Sequence, residues 1–126
     1  ALDRLLGLLA DGLLAFRTDM GPAWSTTTVV VMTEFGRTAR PNGTRGTDHG
    51  TAGAAFVMSP LLGRSHVVAD WPGLSAAALF EGRDLKPTLD TRALLKGALA
   101  LTFDLTGAQL DRVFPDSSGI RAAIVG

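Results

Sequence analysis

The run Thr26-Thr27-Thr28-Val29-Val30-Val31-Met32 constrains this chain more than any other stretch. Every residue in it except Met32 is β-branched, which favours a pleated strand and works against a helix. A short run this uniform suits a central parallel strand covered on both faces. Ahead of it, Leu2, Leu5, Leu6, Leu9, Leu13 and Phe16 recur at helical spacing, with Asp3, Arg4, Asp11 and Arg17 between them. The spacing predicts an amphipathic helix that stops before Gly21-Pro22. Gly7 and Gly12 each weaken it by about 1 kcal/mol relative to Ala, so packing has to hold it. A helix followed by a buried strand is the pairing of an α/β layer fold.

Downstream, the stretch 35–47 turns to Gly, Arg, Thr, Pro and Asn, the composition of a loop. A second apolar run, Ala54 to Met58, reads as another strand stopped by Ser59-Pro60. Gly63-Arg64 turns the chain into His66-Val67-Val68, and Trp71-Pro72-Gly73 is a further turn. Asp90 can cap a helix from about Thr91 to Thr102, with Leu94, Leu95, Ala98, Leu99 and Leu101 on its apolar side. Thr106-Gly107-Ala108-Gln109 matches a capping box for a short helix ended by Pro115.

Bulk properties narrow the functional classes. The 126 residues fit one domain segment, 1–126, or part of a larger domain. Twelve basic and twelve acidic side chains cancel, which gives no global reason to expect nucleic acid as a partner. With no cysteine, disulfide scaffolds, thiol catalysis and thiolate zinc sites drop out. No apolar run approaches the roughly 20 residues needed to span a bilayer.

Chemistry concentrates directly after the β-branched run, in Glu34-Phe35-Gly36-Arg37-Thr38 and Gly46-Thr47-Asp48-His49-Gly50. Ligands of open parallel sheets collect at the carboxyl ends of strands, where Glu34 should emerge. Glu34, Asp48 and His49 form a workable donor set for a divalent metal such as zinc, manganese or calcium. His49 can equally act as a general acid or base, because its ordinary pKa lies near neutrality. Arg37, Arg40 and Arg45 occupy the intervening loop without an acid among them, and guanidinium forks pair well with phosphate or sulfate oxygens.

Each of these residues has a plainer reading. Glu34 can pair with Arg37 across a turn, Asp48 can make an Asx turn or a cap, and three loop arginines are commonly a solvated edge. His66 reads as a packed or surface histidine, and Trp24 and Trp71 as core or turn-packing residues. Asp84, Asp90 and Asp104 read as turn and capping acids. No serine sits in a Gly-x-Ser-x-Gly elbow, so no covalent nucleophile is identified.

The ordered series Val-Val-Met-Thr-Glu34-Phe-Gly-Arg37-Thr, Asn42-Gly43 and Gly46-Thr-Asp48-His49-Gly50 resembles the bacterial family known as domain of unknown function 1501. Asp70-Trp71-Pro72-Gly73-Leu74, Arg83-Asp84-Leu85-Lys86-Pro87-Thr88 and Val113-Phe114-Pro115 extend the resemblance over nearly the whole chain. That family is similar to the alkaline-phosphatase and sulfatase superfamily. The resemblance implies the C-terminal part of an α/β/α sandwich with a mostly parallel sheet, and a remainder of the same domain upstream. It also implies metal-dependent hydrolysis of phosphate or sulfate esters and a periplasmic or exported setting. Glu34 takes a strand-end place where the superfamily often has an Asp-His metal pair, with Phe35 replacing the histidine, and His49-Gly50 resembles a later site histidine. An alternative is a non-catalytic envelope module that binds anionic glycans through the arginine-rich loop.

Overall fold

The computed structural model describes residues 2–124. Helix α1, Leu2–Met20, runs into a 3-10 helix at Gly21–Thr26. Strand β1, Val29–Val31, pairs antiparallel with β4, Phe56–Met58, in the register Val29 to Met58 and Val31 to Phe56. Between them the chain makes a second antiparallel pair, β2, Gly36–Arg37, with β3, His49–Gly50. Helices α2, Thr91–Phe103, and α3, Gly107–Val113, follow.

The chain is therefore mixed α/β, as expected, but both sheets are two-stranded and antiparallel. No parallel sheet forms among the described residues, which corrects the central parallel strand expected for 26–32. The connection explains the difference. Parallel pairing needs a crossover, usually a helix, whereas the segment from β1 to β4 is filled by the β2–β3 hairpin and so returns the chain antiparallel. The segment around His66–Val68, expected to follow a turn, forms no strand, and His66 is exposed with its Nδ1 3.3 Å from the Arg64 carbonyl oxygen.

Local signals set both C-terminal helices. The Asp90 side chain accepts from the Arg92 backbone N–H and caps α2, while Asp104 closes it in the left-handed region at φ 51°. Thr106 and Gln109 form a complete capping box on α3. The core lies here: Ala93, Leu94 and Ala98 of α2 and Leu110 of α3 are buried, together with Leu79. A Cβ on Gly97 would collide with the Ala123 carbonyl, so this helix face accepts only glycine against the C-terminal segment.

Lys96 is buried at 2% exposure in this same corner. Its ammonium donates to Asp111 Oδ1 at 2.6 Å, to the Ser117 carbonyl at 2.6 Å and to the Ile120 carbonyl at 3.1 Å. All three of its protons are thereby used. A run of hydroxyls joins the corner to the first sheet: Thr102 Oγ1 lies 2.7 Å from Thr28 Oγ1, which donates to Ser59 Oγ at 2.9 Å.

Candidate functional site

The residues that carry chemistry meet on the β2–β3 hairpin. Its two strands approach closely through glycine: a Cβ on Gly36 would run into the Ala52 carbonyl, and one on Gly50 would lie 2.5 Å from the Arg37 carbonyl carbon. Gly36 pairs with Gly50, and Arg37 stands directly across from His49. The pairing continues one residue further, where the Thr38 N–H donates to the Asp48 carbonyl at 3.1 Å and Thr38 Oγ1 accepts from the Asp48 N–H at 3.1 Å.

Phe35 supplies a platform for this pair. Its ring centroid lies 4.1 Å from that of His49, with the planes tilted by 35°. The Arg37 guanidinium carbon sits 5.7 Å from the same ring, within cation–π range. Arg37 Nη1 also donates to the Thr47 carbonyl at 3.1 Å. One imidazole and one guanidinium are thus held against a common aromatic surface, and both remain exposed.

Asn42 organises the loop between the strands. Its Oδ1 accepts from the Thr44 N–H, the Thr44 hydroxyl and the Gly46 N–H, while its own N–H donates to the Gly46 carbonyl at 2.8 Å. This closed turn holds Arg45 at φ 64°. Asn42 Nδ2 donates to Asp48 Oδ1 at 2.8 Å. The Asx turn considered for Asp48 is therefore made by Asn42, and Asp48 serves as its acceptor.

Glu34, Arg37, Arg40, Arg45, Asp48 and His49 are all exposed. Among the described residues no group of three or more His, Asp or Glu side chains comes close enough to hold a metal ion. The expected donor set of Glu34, Asp48 and His49 is thus not assembled among the described residues. Nor do Glu34 and Arg37 pair: among the described residues no ion pair involves Arg37, Arg40 or Arg45. The three loop cations keep their charge available.

Asp84, read from sequence as a turn acid, is the buried brace of the hairpin at 2% exposure. The segment Phe80–Asp84 closes on itself and bridges to Thr38, and the Ala39 N–H donates to the Arg83 carbonyl at 3.1 Å. Asp84 Oδ2 accepts from Thr51 Oγ1 at 2.9 Å and from Arg83 Nη2 at 3.0 Å, which ties down the chain just past β3. Its Oδ1 is buried with no hydrogen-bond partner. Trp71, expected to pack in a core or turn, is 63% exposed instead.

A family model described as "Protein of unknown function (DUF1501)" matches residues 1–114. The chain belongs to the DUF1501 family. The match takes in the whole hairpin, the Asp84 brace and both C-terminal helices as far as Phe114. No curated protein and no solved structure matches this DUF1501 chain. The residues that sequence reasoning underrated in it are Phe35, Asn42, Thr51 and Asp84. Phe35 carried a visible signal, as an aromatic ring set between Glu34 and Arg37, and Asn42 and Asp84 stand in the motifs that carry the resemblance, whereas Thr51 left none.

Proposed function

We propose that the β2–β3 hairpin is the anion-recognising part of a site that hydrolyses phosphate or sulfate esters. The observation that carries this reading is the Arg37–His49 pair on the Phe35 ring, next to loop arginines that have no acidic partner. Arg37 would hold two oxygens of the ester and the charge that develops on them, since a guanidinium fork matches that geometry. His49 would pass a proton to the leaving alcohol, a role open to an exposed imidazole near neutral pH. Arg40 and Arg45 would draw the anion in over a longer range. No step of this reading runs through a metal, because Glu34, Asp48 and His49 do not gather into a ligand set.

The reading extends to the rest of the resemblance. The chain would complete an alkaline-phosphatase-like α/β/α sandwich, with the reaction's nucleophile supplied by the remainder of that domain and the whole exported to the periplasm.

Aryl phosphate and aryl sulfate turnover by the full-length protein tests it. Arg37→Ala should raise KM for the ester, and His49→Ala should lower kcat with little change in KM. Turnover that is indifferent to both substitutions overturns the assignment. The second reading, a non-catalytic module for sulfated or phosphorylated glycans, is favoured by the stacking of His49 on Phe35, which holds the imidazole as a binding surface. It expects no turnover, together with glycan binding that weakens steeply with added salt.

A further inference from the structure

Asn42 is the only asparagine of the chain, and a glycine follows it. The hydrogen bonds around its side-chain amide are lopsided. Oδ1 accepts from the Thr44 N–H at 3.1 Å, from the Thr44 hydroxyl at 2.8 Å and from the Gly46 N–H at 3.0 Å. An amide oxygen has two lone pairs, so the third donor exceeds what the neutral group can use well. Converging donors of this kind suit an oxygen that gains negative charge, as in the oxyanion holes of acyl-transfer sites. At the other end of the amide, Nδ2 donates to Asp48 Oδ1 at 2.8 Å, which fixes the plane of the group.

A nucleophile stands next in the chain. Among the described residues the Gly43 N–H donates to no protein acceptor, whereas the N–H groups of Asn42 and Thr44 on either side are both bonded. Gly43 is exposed and has no Cβ to shield its nitrogen. Attack by that nitrogen on Asn42 Cγ closes a succinimide ring and drives charge onto Oδ1, where the three donors point.

We propose that Asn42-Gly43 is a self-modifying site whose amide is activated by Thr44 and Gly46. The Gly43 nitrogen forms a bond to Asn42 Cγ and loses its proton to water. The Cγ–Nδ2 bond then breaks, and Nδ2 takes up a proton from water and leaves as ammonia. Water opens the imide at either carbonyl, which leaves aspartate or isoaspartate at position 42. Either product sets a carboxylate against Asp48 in place of the Nδ2 donor, and adds a negative charge to the loop of Arg40 and Arg45. Isoaspartate also lengthens the main chain inside the turn that the Asn42 N–H and Arg45 N–H bonds close. The inference stands apart from the ester-hydrolase reading, since neither Arg37 nor His49 takes part.

Incubation of the full-length protein at neutral pH, followed by mass spectrometry of the peptide that holds Asn42, tests it. The folded protein should convert to the acid forms faster than the same protein in urea, where the three donors no longer converge. Thr44→Val removes the hydroxyl donor and leaves both N–H donors, and should slow the conversion about fivefold. Gly43→Ala should suppress it; a Cβ there meets nothing within 4 Å, so the loop has room for the change. Circular dichroism checks that both variants fold. A folded protein that keeps its amide, or that converts no faster than in urea, overturns the proposal. So does a folded Thr44→Val variant that reacts at the wild-type rate or above it.

Discussion

Two buried charges, Lys96 in the α2–α3 corner and Asp84 beneath the hairpin, are equally hidden and differently served. Both are 2% exposed. Lys96 has three protons and three oxygen acceptors, two of them backbone carbonyls from the segment after α3. Asp84 has two oxygens and partners for only one. A buried charge is expensive to desolvate unless it is fully hydrogen-bonded, so the first arrangement is closed and the second is under-satisfied. The corner is explained by the fold that it holds. The brace keeps a less favourable group because that group is what joins Thr51 and Arg83 beneath the candidate site.

The contrast is sharpest at Lys96. Lys96→Ala strands two carbonyls and removes the ion pair with Asp111, and should cost about 3 kcal/mol in urea denaturation of the chain. A loss under about 1 kcal/mol would mean that the carbonyls find other donors, and the comparison would fail at its stronger end. Asp84→Ala should cost less, about 2 kcal/mol, because one oxygen already has no partner. Asp84→Asn discriminates further. It removes the buried charge and still offers Thr51 an acceptor, so its melting temperature should lie nearer to wild type than to the Ala variant. An Asn variant as unstable as the Ala variant would show that the charge itself holds the hairpin.

The smallest effects come from the caps. Asp90→Ala should destabilise by about 1 kcal/mol. The hydrogen bonds from the Arg92 side chain and backbone, in that order, hold the Asp90 carboxyl down from 3.8 to about 2. Its pKa is lowered by folding, so its contribution is fully present above pH 3.8 and is lost as pH falls through about 2. Between those values wild-type stability should fall with a slope that Asp90→Ala lacks. The group is partly exposed, so solvent screening keeps this difference small.

What was legible in the sequence was local. Asp90 ahead of Thr91 and Thr106 three places before Gln109 mark helix starts through contacts within one turn, and the structure forms both caps. The Glu34–Gly50 stretch was recognisable because polar and glycine residues cluster directly after a β-branched run. Strand direction was not legible. Val29–Val31 looks the same whether its neighbour runs with it or against it, and the antiparallel partner is set by the hairpin in between. Asp84 was misread for the same reason. Arg-Asp-Leu-Lys-Pro has turn composition, and nothing nearby in sequence announces Thr51 as a partner of Asp84. Lys96 did leave a trace, as a lone cation among Leu94, Leu95, Ala98 and Leu99.

The two-residue strands that carry Arg37 and His49 are too short to persist on cross-strand bonds alone. They borrow their order from Phe80–Asp84, which binds Thr38 and Ala39 from the far side. Amide protons of Ala39 and Asp84 should accordingly exchange with deuterium at a common rate, as one cooperative opening unit. A substitution in the tight turn at Glu81-Gly82, remote in sequence from the imidazole, would then loosen the hairpin as surely as a change beside it.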